Sequence, residues 1–224
     1  MNLLKEFGLN NEQITKFEKY LALLLEWNEK FNLTAITDKD EIEEKHFIDS
    51  IELVKYFDVK NKSLLDVGSG AGFPGIPLAI VEPSLKVTLL EATGKRVKFL
   101  QEAVKELNLT NVQVIQGRAE ELNTREKYDI VTARAVKELN VLLEICFYLV
   151  KVRGTFIAYK SSAVDEEISN AKHAFKCLQI EEYEKFDYFL PKSKNNRVFL
   201  GILKKNKTQK KYPRRYGEII KQPL

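Results

Sequence analysis

Cysteine is scarce in this 224-residue chain: Cys146 and Cys177 each stand alone among apolar or basic neighbours. The absence of a CxxC pair or a His/Cys cluster argues against a zinc site and a disulfide framework, and no metal is expected. Long apolar runs are missing too. No stretch approaches the roughly 18 apolar residues that a membrane span requires. The first thirty residues carry acidic and basic groups throughout, unlike a signal peptide. A cytoplasmic protein with no membrane partner is the expectation. No internal repeat, no low-complexity segment ahead of the C-terminal stretch and no dimerisation signature is visible, so a monomer is expected.

What is present is an ordinary globular balance, 44% hydrophobic and 30% charged residues, with the charge unevenly placed. Residues 204–224 hold eight Lys or Arg against one Glu, while the whole chain carries only +4, so the body is net acidic. A basic, Pro-containing terminus suits a phosphate-rich partner or a solubilising, partly disordered end. Composition and pattern divide the chain into an N-terminal helical extension (1–60), a core (61–203) and a basic tail (204–224).

In the extension, Ile14, Phe17, Leu21 and Leu24 recur at helical spacing, and Asn10 with Gln13 forms a capping pair at the start. Asp38 with Glu41 opens a second helix over 42–57. Beyond Asn61 short apolar runs alternate with amphipathic segments. Strands are predicted at 63–67, 86–90, 112–115, 128–132, 154–159, 181–189 and 198–203. Helices are predicted at 75–81, 95–107, 136–149 and 164–175. Alternation of this kind predicts a doubly wound α/β fold, a mainly parallel seven-stranded sheet with an antiparallel hairpin at one edge.

The most informative stretch runs from Leu64 to Gly75: a buried strand, then Gly68, Gly70 and Gly72 at alternate positions, then a helix. Glycines there permit positive φ and let a ligand approach the backbone, and the loop lies beyond the carboxyl end of a strand, where doubly wound sheets bind ligands. Gly70-x-Gly72-x-x-Gly75 also fits a dinucleotide fingerprint. Against NAD, Asp66 just ahead of the glycines would repel a pyrophosphate but suits a cationic amino acid, and too little chain follows for a dehydrogenase substrate domain. Glu91, at the end of the next strand, can accept from ribose hydroxyls. Ala119 and Glu120 follow the third strand, where an amide and a carboxylate could read an adenine edge. Arg134 emerges at the end of the fourth, facing the same crevice. These features together point to S-adenosylmethionine as the cofactor. No Asn/Asp-Pro-Pro-Tyr/Phe run exists, and neither cysteine suits a covalent cytosine mechanism; both read as structural.

Asp-Val-Gly-Ser-Gly-Ala-Gly-Phe-Pro-Gly-Ile-Pro-Leu-Ala-Ile (66–80) resembles the signature of the glucose-inhibited division protein B family. The resemblance extends through Trp27-Asn28, Phe31 to Thr34, His46-Phe47-Ile48-Asp49-Ser50, Gly94 to Val97, Arg118 to Glu121, Arg134-Ala135 and Lys211 to Arg215. It implies a class I, Rossmann-like S-adenosylmethionine-dependent methyltransferase that modifies guanine N7 in 16S ribosomal RNA or the small ribosomal subunit, with no DNA partner. It further implies cofactor contacts from Gly68, Phe73, Ala119, Glu120 and Arg134, to which the loop reading adds Gly70 and Glu91. An attack by N7 needs no base, and no catalytic acid or base stands out. His46, Arg96, Lys160 and Arg197 are candidates for substrate contact; Trp27 and Phe31 read as core anchors. A methyltransferase acting on a protein or small molecule, and an inactive nucleotide-binding regulator, are the alternatives.

Overall fold

The computed structural model describes residues 1–134 and 137–224. Ala135 of the resemblance and the expected helix start at Val136 lie outside the described residues. Seven strands form one sheet in the order β3-β2-β1-β4-β5-β7-β6. They are β1 (Ser63–Val67), β2 (Lys86–Glu91), β3 (Val112–Gln116), β4 (Tyr128–Arg134), β5 (Val150–Ser161), β6 (Glu184–Phe189) and β7 (Asn196–Leu203). The first five pair in parallel, and β7 runs antiparallel to both β5 and β6.

The strands read as continuous apolar runs because both faces of the sheet are covered. Leu64, Leu89 and Ile157 enter one core, and their neighbours Leu65, Leu90, Phe156 and Ala158 enter the other, as period-two alternation requires. The first core is completed by the N-terminal helices and by α5 (Gly75–Val81) and α6 (Gly94–Glu106). The second is completed by α7 (Leu139–Cys146), α8 (Val164–Asn170), α9 (Lys172–Leu178) and the C-terminal α10 (Tyr216–Lys221). The single helix expected over 164–175 is thus two, broken at the fully buried Ala171.

In the extension, α1 (Asn2–Glu6) precedes α2 (Asn11–Phe31). A reciprocal capping box starts α2: Gln13 N donates to Asn10 Oδ1 (2.9 Å) and Asn10 N to Gln13 Oε1 (3.1 Å). Its buried stripe is Ile14, Phe17, Tyr20 and Leu24, with Tyr20 in the place expected for Leu21. Trp27 packs edge-on to Phe99, but Phe31 is 37% exposed and anchors no core. The second helical stretch is not uniform. After α3 (Lys39–Ile42), which Asp38 caps through Glu41 N, the chain widens into a π-helical turn over Glu43–Ile48, then α4 (Asp49–Ile51) and a 3₁₀ turn over Glu52–Lys55. Buried Glu43 and Glu44 lock this stretch to distant backbone: Leu4 N donates to Glu43 (3.1 Å), and Lys192 N and Ser193 N donate to Glu44 (2.5 and 2.7 Å). No helix among the described residues is long and apolar enough to cross a membrane.

The tail is folded. Residues Tyr212, Ile219 and Leu224 join the second core, and Arg125 donates to the carbonyls of Thr208, Gln209 and Tyr212 (3.2, 3.2 and 2.8 Å). Lys204 is buried, with Nζ on the carbonyls of Phe147 and Val150 (3.0 and 2.9 Å) and Glu126 at 3.7 Å. Burial lowers its pKa to about 8.

Candidate active site

The loop after β1 takes its shape from three residues that L side chains fit poorly: Gly68, Gly70 and Gly72 have φ of 70°, 59° and 94°. Gly68 N and Ser69 N donate to Leu90 O (2.8 and 3.1 Å), tying the loop to β2. Glu91, buried at the end of β2, accepts from Gly70 N (3.0 Å) and from Thr93 N (2.8 Å), so its carboxylate braces the loop from beneath. The expectation that Asp66 faces a cationic ligand is not met. Asp66 is fully buried and its Oδ2 accepts from Gly75 N (3.1 Å) at the start of α5. Burial raises its pKa to about 6, opposed by the Gly75 amide.

Two cavities open beyond the carboxyl ends of the strands. The smaller, about 260 Å³, is walled by Val67, Leu90 and Ile145 and edged by Gly68, Glu91, Arg96, Arg118, Ala119, Glu120 and Tyr216. Glu120 points in with its side chain 95% buried, and its Oε1 has no hydrogen-bond partner among the described residues; Arg118 Nη1 stands 3.9 Å away. A buried carboxylate oxygen left without a donor is costly, and a ligand bearing hydroxyl or amine donors would satisfy it. The larger, about 670 Å³, is lined by Lys45, His46, Asp49, Arg134, Tyr159, Lys160 and Arg197 among others, and Lys137 borders both.

Around the larger cavity, side chains from four elements converge on Asp49, which is buried in α4. Arg134 Nη1 donates to Asp49 Oδ2 (2.9 Å), Arg197 Nε lies 3.3 Å from Oδ1, and the Tyr188 hydroxyl donates to Oδ1 (3.0 Å). Arg134 also sits over the Phe73 ring (5.0 Å), and His46 stacks on that ring (4.6 Å). His46 Nδ1 accepts from Arg134 Nη2 (3.4 Å), which assigns the proton to Nε2, where Thr34 Oγ1 accepts it (2.8 Å). Burial and the Arg134 charge push the imidazole pKa down to about 3, so it is neutral around pH 7. Lys160, at the end of β5, is paired with Glu167.

The sequence-selected residues therefore separate into two groups. Gly68, Glu91, Ala119 and Glu120 meet at the smaller cavity, and Arg96, selected for substrate, joins them. His46, Lys160 and Arg197 meet at the larger one, with Arg134, selected for cofactor. Gly70 and Phe73 line neither: Gly70 is held by Glu91, and Phe73 is a buried platform beneath His46 and Arg134. Lys45, Lys137, Tyr159 and Tyr216 were not singled out by the sequence. Tyr159 and Lys137 follow from one signal, their position at or just beyond the carboxyl ends of β5 and β4. No group of three or more His, Cys, Asp or Glu among the described residues could hold a metal ion.

A family model described as rRNA small subunit methyltransferase G matches residues 13–195. Curated relatives called ribosomal RNA small subunit methyltransferase G are similar along nearly the whole chain. That of Bacillus cytotoxicus is 49% identical over 97% of this chain and 93% of its own, and that of Lachnoclostridium phytofermentans 46% identical over 96% and 91%. Among solved structures, a SAM-dependent methyltransferase from Aquifex aeolicus superposes with a TM-score of 0.56 at 18% identity, over 74% of this chain and 94% of that one. TYW2 of M. jannaschii in complex with AdoMet gives 0.54 at 20%, over 69% and 74%. These structural likenesses concern the fold.

Proposed function

The chain belongs to the rRNA small subunit methyltransferase G family, and from that premise we propose that it transfers a methyl group from S-adenosylmethionine to N7 of a guanine in 16S ribosomal RNA. The observation that carries the reading is the pairing of two adjoining cavities at the carboxyl ends of the strands. One holds an unsatisfied acid suited to an adenosine; the other is rimmed by Lys45, Arg134, Lys137, Lys160 and Arg197, a cationic border suited to RNA phosphates.

The smaller cavity fits the cofactor. The left-handed loop at Gly68 and Gly70 presents backbone without side chains, Glu91 and Glu120 offer acceptors to hydroxyl or amine donors, and Ala119 with the aliphatic wall packs an adenine. The bound cofactor supplies an electrophilic methyl on a positive sulfur. Guanine N7 carries an in-plane lone pair and no proton, so the N–C bond forms as the C–S bond breaks, and the positive charge moves from sulfur to the purine ring. No proton changes hands. The protein's task is alignment and exclusion of water, for which proximity alone is worth several powers of ten. The rigid cluster of Asp49, Arg134, His46 and Phe73 suits that task, since each member is held by at least two others or by the adjoining backbone. Arg134 and Lys160 serve the acceptor better than the cofactor, and donors aimed at guanine O6 would leave N7 free.

The direct test incubates the protein with labelled S-adenosylmethionine and small ribosomal subunits lacking the modification, then maps label by nuclease digestion and mass spectrometry. A single 7-methylguanosine in the small-subunit RNA is expected. Label on protein, or on another nucleotide, would overturn the acceptor assignment.

A further inference from the structure

Tyr216 is the one aromatic side chain in the lining of the smaller cavity, among walls that are otherwise aliphatic, glycine or charged. It comes from the tail, more than 90 residues beyond the other lining residues' strands and loops in β1 to β3. Its position is fixed from both sides. Two residues before it, Arg214 grips the fully buried Glu144 of α7 through Nε (2.8 Å) and Nη2 (2.7 Å), and Arg214 N donates to the same carboxylate (3.0 Å). Three residues after it, Ile219 is completely buried in the second core. Arg118, another residue of the cavity, lies over the Tyr216 ring at 5.0 Å. Across the cavity sits the Glu120 oxygen that lacks a donor.

We infer that Tyr216, presented by the docked C-terminal segment, is an aromatic wall of the adenosine site, so that the tail completes the cofactor cavity. The inference rests on the reading of that cavity as the S-adenosylmethionine site. A charge-rich end that served only as a phosphate tether would not need a buried bidentate anchor beside an aromatic residue. A flat π-face against a purine adds affinity without demanding specific donors, and the guanidinium of Arg118 holds the ring from outside. Tyr216 is only partly buried, so its truncation spares the core.

S-adenosylhomocysteine, the unreactive product, is the probe. Calorimetric titration of the full-length protein compares the wild type with Tyr216→Ala and Tyr216→Phe, each checked for an unchanged unfolding midpoint. Tyr216→Ala is expected to weaken binding about tenfold, the scale of one lost base–aromatic stack, while Tyr216→Phe stays within about twofold of the wild type. Arg215→Ala, an exposed neighbour, controls for loss of tail charge and leaves affinity unchanged. Should Tyr216→Ala fail to fold, Tyr216→Leu replaces it in the comparison with Phe. Equal affinity for the wild type and the aliphatic variant overturns the wall while leaving the cofactor assignment intact. Failure of the wild type itself to bind S-adenosylhomocysteine sinks the cofactor assignment, and the inference with it.

Discussion

Arg134 illustrates why a single arginine at a strand end is hard to replace. Its fork donates to Asp49, a carbonyl of the π-helical turn and His46 while its plane covers Phe73. Lysine keeps the charge but cannot make those contacts together. Arg134→Lys is therefore expected to cut methyl transfer to ribosomal subunits about 100-fold, nearly as far as Arg134→Ala, with cofactor affinity within a few-fold of the wild type. Lysine activity close to the wild type would reduce Arg134 to a point charge. Asp66 offers a stability test of the opposite kind. Its pKa is near 3.8 in the unfolded chain and about 6 in the fold, so between those values the folded state holds the extra proton. Stability from this group is present at low pH and is lost as pH rises through 3.8 to 6, a cost of roughly 3 kcal/mol once both states are ionised. His46 acts in the other direction: with its folded pKa near 3, the unfolded chain gains the proton first, and stability falls as pH drops from 6.5 towards 3. Unfolding midpoints measured from pH 4 to 8 should show Asp66→Asn gaining on the wild type as pH rises. Parallel curves would mean that Asp66 is no costly buried acid.

Among the elements, the glycine loop separates two reasons for glycine that the sequence presents as one motif. Gly70 has a positive φ but open space around its missing Cβ, the nearest atom being Gly68 O at 3.9 Å. Gly75 has no left-handed backbone to preserve, yet a Cβ there would meet Leu89 Cδ2 at 2.2 Å and Asp66 Oδ2 at 3.0 Å. Gly75→Ala should thus destabilise by about 1–3 kcal/mol through overpacking, while Gly70→Ala should cost about 1–2 kcal/mol through backbone strain alone. Chemical denaturation of both variants checks the order, and a Gly75→Ala protein as stable as the wild type would refute the packing argument. The strands and the loop were legible because their signals are local: apolar runs, alternate glycines and an acid at the end of β2 lie within 30 residues. The π-helical turn was not, because nothing in Glu43–Ile48 departs from helical periodicity; its buried acids Glu43 and Glu44 bond to Leu4 and Lys192, 39 and 148 residues away. The same holds for the cluster at Asp49, whose members were visible as polar residues of one helix face, while their partners on β4, β6 and β7 were not.

At the scale of the whole molecule the tail carries two roles that sequence alone merges into one basic run. Arg214 and Lys204 are spent on buried intramolecular partners, whereas Lys207, Lys210 and Lys211 face solvent. Deleting 204–224 would strip Tyr212, Ile219 and Leu224 from the second core and leave Glu144 buried without its partner, a loss of about 3–5 kcal/mol from that pair alone. Truncation therefore tests folding and RNA affinity at once and distinguishes neither. Substituting Lys207, Lys210 and Lys211 together with Ala isolates the phosphate contribution, since exposed changes of this kind shift stability by only about 0.5 kcal/mol. If the tail contacts RNA through these residues, the triple variant keeps the wild-type unfolding midpoint and cofactor affinity. Its plot of log affinity for small-subunit RNA against log salt flattens by about 2, from three lost phosphate contacts at roughly 0.7 each. An unchanged slope would remove the outer face of the tail from the RNA interface. Its remaining role would be the inward-facing one, closing the fold at Glu144 and walling the cofactor cavity at Tyr216.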